Sequence, residues 1–148
     1  MAKGAAYANS LLLLIFNATL FANVAINATS SPITSIFAAL HTADPGTAGD
    51  QTTSEMTTGA YAGYARVGVL RQSGAGGFTV TTNSVSPQAA ITFPAGTGGS
   101  GATATYFSVG TLTSGAGVRL YSGTITPNIV CGNGVTPSLS TATAITES

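Results

Sequence analysis

The chain has 148 residues, the size of one domain and enough to bury a single core. Hydrophobic residues make up 44% of it but charged residues only 5%, against about 25% in ordinary globular domains. The four cations, Lys3, Arg66, Arg71 and Arg119, are scattered and balanced by four carboxylates, which excludes both a charge-rich disordered segment and a nucleic-acid-binding face. A surface this neutral suits coverage by other subunits and points to an assembly component.

The first predicted element is a helix within "SLLLLIFNATLFANVAI" (10–26). Asn17, Thr19 and Asn23 interrupt the apolar run, so it falls short of the ~20 mainly apolar residues of a membrane span. A signal peptide fits less well than a helix, because no clear small-x-small cleavage site follows the run. At helical spacing Leu11, Leu14, Ile15, Ala18, Ala22 and Ala25 share one face, with Ser10 as N-cap. This face is expected to pack the helix on the domain or on a neighbour, and it is the expected partner interface of an N-terminal helical arm. Asn-Ala-Thr at Asn17 and Asn27 matches the glycosylation pattern, which chance explains in an Asn- and Thr-rich chain.

Short β-type runs follow: "ITSIFAALHT" (33–42), "YARVGVLRQ" (64–72), "GFTVTTNSV" (77–85), "AAITFPA" (89–95), "ATATYFSVGTLT" (102–113), "VRLYSGTIT" (118–126) and "NGVTPSLSTATAIT" (133–146). Glycine-rich turns such as "SGAGG", "PAGTGGSG" and "TSGAG" separate them. This spacing predicts an all-β antiparallel β-sandwich, jelly-roll or Greek-key-like, over 33–148, with the helical arm over 1–32. Thr and Ser opposite the apolar face suit sheets with one side on the core, and open edges would invite pairing with other chains.

Candidate chemistry concentrates in "AALHTADPGTAGDQTTSE" (38–55), which holds the single histidine, His41, and three of the four acidic side chains. His41 and Asp44 stand three apart at a strand end, with no nucleophile elbow anywhere in the chain. The spacing of Asp44, Asp50 and Glu55 fixes neither a glycosidase pair nor a calcium loop, and there is no Trp to form a sugar platform. Asp44-Pro45-Gly46 reads instead as a turn. The acidic loop is then positioned to meet Arg66 in a two-pronged ion pair. Neither "GAGG" nor "GTGGSG" leads into a P-loop. Cys131 stands alone, which rules out a disulfide or cysteine zinc site within one chain and makes it an ordinary strand-end residue.

"ALHTADPG…E…YAGYARV" (39–67), with "AAITFPAGTGG" (89–99), "ATYFSVGT…SGAGVRLYSG" (104–123) and "NGVTPSLSTATAITE" (133–147), resembles the signature of a family of small tailed-bacteriophage virion proteins. The family-motif positions are His41, Thr42, Asp44, Pro45, Gly46, Glu55, Tyr64 and Arg66, and the chain departs from the pattern in its Leu-rich helix. The resemblance implies a non-enzymatic virion structural protein without cofactor or metal. The first expectation is a capsid decoration (cement) protein that binds the major capsid protein and copies of itself as a dimer or trimer. The alternatives are a tail or tail-fibre component and a host-glycan-binding module that would need exposed tyrosines.

Overall fold

A computed structural model of the chain describes residues 4–21 and 32–147. Among these the architecture is the expected all-β one, with antiparallel sheets, one N-terminal helix and no barrel. Helix α1 spans Ala5–Asn17, and the strands are β1 Ser35–His41, β2 Val67–Leu70, β3 Phe78–Thr81, β4 Ser84–Pro87, β5 Ile91–Thr92, β6 Ala102–Gly110, β7 Arg119–Cys131, β8 Ser138–Leu139 and β9 Ile145–Thr146. They form sheets ordered β2-β1-β6-β7, β3-β4-β9 and β5-β8. The described residues fall into two compact units, a smaller one within 1–36, 69–90 and 139–148 and a larger one within 37–68 and 91–138.

In the smaller unit α1 packs on β3 and β4. The helix starts six residues before the expected Ser10-capped turn, because Ala5, Ala6 and Ala8 are the strongest helix formers available and Gly4 serves as N-cap. It buries Ala8, Leu12 and Phe16, one residue per turn on a single stripe. Leu11, Leu14, Ile15 and Ala18, the expected interface face, are half-buried, while Ala22 and Asn27 lie outside the described residues. Phe16 decides which stripe turns inward, because its ring meets Phe78 of β3 edge-on at 4.9 Å. At the C-terminal end Ala18 adopts a left-handed conformation and the Thr19 N–H returns to the Leu13 carbonyl at 3.1 Å. Arg71 completes the cap, donating from Nε to the Ile15 carbonyl (2.6 Å), from Nη2 to Leu14 (2.8 Å) and from Nη1 to Ile33 (2.7 Å).

The run 77–85, expected as one strand, is a hairpin. Polar Thr82 and Asn83 form a two-residue turn, with Thr82 at φ 56°, and β3 pairs with β4 from Phe78↔Pro87 to Thr81↔Ser84.

In the larger unit β1, β6 and β7 form an antiparallel ladder around Ala39, Leu40, Ala104, Phe107 and Val109. Strand β7 is longer than the expected 118–126 and ends at buried Cys131. It bulges midway: Thr124 faces Tyr106 and Ile129 faces Ala104, so residues 125–128 stand opposite Thr105 alone.

Candidate functional site

The acidic loop and the turn between β6 and β7, both in the larger unit, are joined by buried polar side chains. After β1 the chain enters the Asp-Pro-Gly turn, where the Gly46 N–H donates to Asp44 Oδ1 at 2.9 Å and Gly46 takes φ 64°. Thr42 is exposed and Pro45 buried. Arg119 reaches back from β7 and donates to the Gly46 carbonyl. The loop then returns alongside β1 as an added edge, with Thr42 N–H bonded to Ser54 O (2.9 Å), Met56 N–H to Leu40 O (2.8 Å), and His41 bridged to Glu55.

Glu55 is the carboxylate that meets Arg66. Arg66 Nε donates to Oε1 and Nη2 to Oε2, both at 2.7 Å, in the two-pronged geometry that matches a guanidinium to a carboxylate. The Arg66 side chain is only 2% exposed, and its hydrogen bond to Glu55 holds its protonated form. Its remaining donors reach the turn after β6, with Nη1 to Leu112 O at 2.9 Å and Nη2 to Gly115 O at 2.8 Å. Tyr64 Oη donates to Glu55 Oε1 (2.9 Å) and accepts from the Leu40 N–H (3.1 Å). Burial and the neighbouring Glu55 charge push its phenol far above the usual range.

Asp44 and Asp50 do not join this pair. Asp50 Oδ1 accepts from the Thr52 N–H (2.8 Å) and hydroxyl (2.7 Å), and these bonds lower its carboxyl pKa. Asp44 and Asp50 thus fix the loop's own backbone, and Glu55 alone of the three reaches Arg66.

His41 is fully buried. Its Nδ1 faces the Thr53 carbonyl at 2.9 Å, which only accepts, so Nδ1 carries the proton and Nε2 accepts from Ser108 Oγ at 2.7 Å. Burial lowers the imidazole pKa and keeps the ring neutral. A hydroxyl beside an imidazole is the contact a serine nucleophile needs, but Ser108 is as fully buried as His41, so neither presents its reactive atom to a substrate.

Sequence reasoning missed Gln51, Ser108 and Arg71. Gln51 is fully buried, and its Oε1 accepts from the N–H groups of Thr111 (3.0 Å) and Leu112 (2.9 Å). Its Nε2 donates to Leu112 O (3.2 Å) and its own N–H to Ala116 O (2.8 Å). A Cβ at Gly110 or Gly117 would lie 2.2 Å from the Gln51 Cδ or 2.0 Å from its Oε1, so the two glycines that bracket the turn make room for this side chain. That pairing of glycines was the one available signal for Gln51.

A shallow cleft of about 280 Å³ opens over the junction, lined by Glu55, Tyr64, Arg66 and residues 113–115. The polar groups on its floor are already bonded to one another or to the turn. Among the described residues no three His, Cys, Asp or Glu side chains are grouped to hold a metal ion, and no helix is long and apolar enough to cross a membrane.

Residues 12–146 match the family model described as podophage GP4 fiber I protein gp80. The chain belongs to that family. The match covers most of the chain, α1 from Leu12 included, and makes it a phage virion structural protein. No curated protein matches the chain. The family's description is of a fibre, so it favours the tail-fibre alternative over capsid decoration.

Proposed function

We propose that this fibre-family chain is a non-catalytic structural component of a phage fibre, held in the virion by protein contacts and without a cofactor. One observation carries the reading: the titratable side chains of the acidic loop are occupied in fixing the chain's own shape. His41 bonds Thr53 and Ser108, Glu55 bonds Arg66 and Tyr64, Asp44 bonds Gly46, and Asp50 bonds Thr52. Function then lies in what the locked loop and turn present to a neighbouring protein.

The family's description supports a fibre position ahead of the capsid exterior and the major capsid protein as partner. The tyrosines do not favour a glycan platform: Tyr61 is buried, Tyr64, Tyr106 and Tyr121 are half-buried, and Tyr7 alone among the described tyrosines is exposed. Quantitative mass spectrometry of purified virions tests the position. A fibre component gives on the order of six or twelve copies per particle, or a small multiple, set by the symmetry of the tail. Hundreds of copies would overturn the fibre reading and restore capsid decoration.

A further inference from the structure

We propose that His41 is an acid-sensitive latch: a proton taken up by its buried ring releases the acidic loop and, with it, the Gln51 side chain that shapes the exposed turn after β6. The ring is fully buried and joins two parts of the chain, Nδ1 to the Thr53 carbonyl of the loop at 2.9 Å and Nε2 to Ser108 of β6 at 2.7 Å. The first bond survives protonation. The second cannot persist as it stands, because a protonated Nε2 donates and the Ser108 hydroxyl must turn over to accept from it.

The surroundings decide how the added charge is received. Burial opposes it most, and Arg119 of β7 and Arg66 oppose it further. Glu55, bridged to His41 from the end of the loop, favours it, but Arg66 already engages both oxygens of this carboxylate. The loop's other carboxylates turn to its own backbone, Asp44 to the Gly46 N–H and Asp50 to Thr52. Tyr106 of β6, in register with His41, and Tyr64, bonded to Glu55, are phenols and not carboxylates. Arg119 bonds the Gly46 carbonyl, and its Nη1 is buried with no hydrogen-bond partner among the described residues. A charged ring here joins two cations around one committed carboxylate, and it gains by reaching water.

The loop is the cover that can move. Residues 42–54 carry no strand, and Thr42, Asp44, Gly46 and Thr52 are exposed. Gln51 anchors the loop in the turn, through its own N–H to Ala116 O and its Oε1 to the Leu112 N–H. When the loop leaves, that amide loses its acceptor. Arg66 still bonds the Leu112 and Gly115 carbonyls, so the turn loosens but stays attached. Because the folded ring has a pKa below 6.5, the latch is fully closed above 6.5 and opens as pH falls from there through the lowered folded value. The opening is local, confined to loop and turn, and so goes beyond a fall in overall stability.

Residue-resolved hydrogen exchange of the full-length chain, from about pH 7.5 to about pH 5, tests it, with protection factors removing the intrinsic pH dependence of exchange. The expected result is that protection at the Gln51 and Leu112 amides falls below pH 6.5, by up to about tenfold per pH unit. Amides shared between β1 and β6 keep theirs. In His41→Gln the loss with pH disappears. Protection at Gln51 and Leu112 that is indifferent to pH would overturn the proposal, as would a loss that persists in His41→Gln. A parallel loss across β1 and β6 would also overturn it, since that is unfolding of the whole unit. Should His41→Gln misfold, NMR titration of the wild-type ring nitrogens takes its place. A folded pKa below 6.5 is expected, and one at or above 6.5 overturns the proposal. The fibre reading rests on copy number in the particle and survives any of these failures.

Discussion

Arg66 in the larger unit closes on a carboxylate and two turn carbonyls, while Arg71 in the smaller unit closes on the carbonyls at the end of α1. Around Arg66 the neighbours are polar: buried Gln51 bonds the turn directly, and half-buried Glu55, which Tyr64 also bonds, is tied to the turn through Arg66 itself. Around Arg71 an apolar stripe, Leu12 and Phe16, carries the packing and the arginine finishes the helix end. Each region's stability therefore resides in a different kind of contact. The loop depends on directional bonds whose loss strands a buried group, and the helix depends on area removed from water.

Four substitutions and a pH series separate these modes. Phe16→Ala, which empties the centre of the helix contact, is expected to cost about 4 kcal/mol in chemical denaturation. Arg66→Ala comes next at about 3 kcal/mol, because it leaves Glu55 with an uncompensated charge. An Arg66→Ala melting curve superposable on the wild type would remove the ion pair from the account. Gln51→Ala is expected to cost about 2 kcal/mol, the penalty for unpairing the Thr111 and Leu112 amides. Arg71→Ala should cost only about 1 kcal/mol, since packing holds the helix and the cap adds to it. A larger loss for Arg71→Ala than for Phe16→Ala would reverse the comparison.

The smallest effect is that of pH. His41 has a folded pKa below its ordinary value of 6.5, so the unfolded chain binds a proton more readily. Its contribution is fully present above 6.5 and is lost as pH falls from there through the lowered folded value. Denaturation midpoints measured across that window should decline toward acid, and His41→Gln should flatten the decline.

Several of these features could be read from the sequence because they are rare in it. In a chain with four cations and four carboxylates, Arg66 had few candidate partners, and the acidic loop preceding it supplied Glu55. Asp44-Pro45-Gly46 carried its turn chemistry on its face, and alternating runs broken by glycines gave the all-β class. Gln51 and Ser108 left no comparable mark. They are neutral polar residues in a chain full of them, and their partners lie about 60 residues away in sequence. The helix face was obscure for another reason: residues 11–16 are all apolar, so spacing suits the face of Leu11, Leu14 and Ile15 as well as the buried stripe of Leu12 and Phe16, which the contact with Phe78 fixes. The hairpin at Thr82 was hidden because its turn contains no glycine.

Hydrogen exchange at the Leu112 amide tests most directly whether these buried polar side chains exist to hold an exposed turn. Leu112 itself is 47% exposed, yet its N–H is bonded to Gln51 Oε1 at 2.9 Å. The account predicts a protected amide in the wild-type chain that exchanges freely in Gln51→Ala, while the β1 and β6 amides stay protected in both. Free exchange at Leu112 in the wild type, or protection that survives Gln51→Ala, would contradict it.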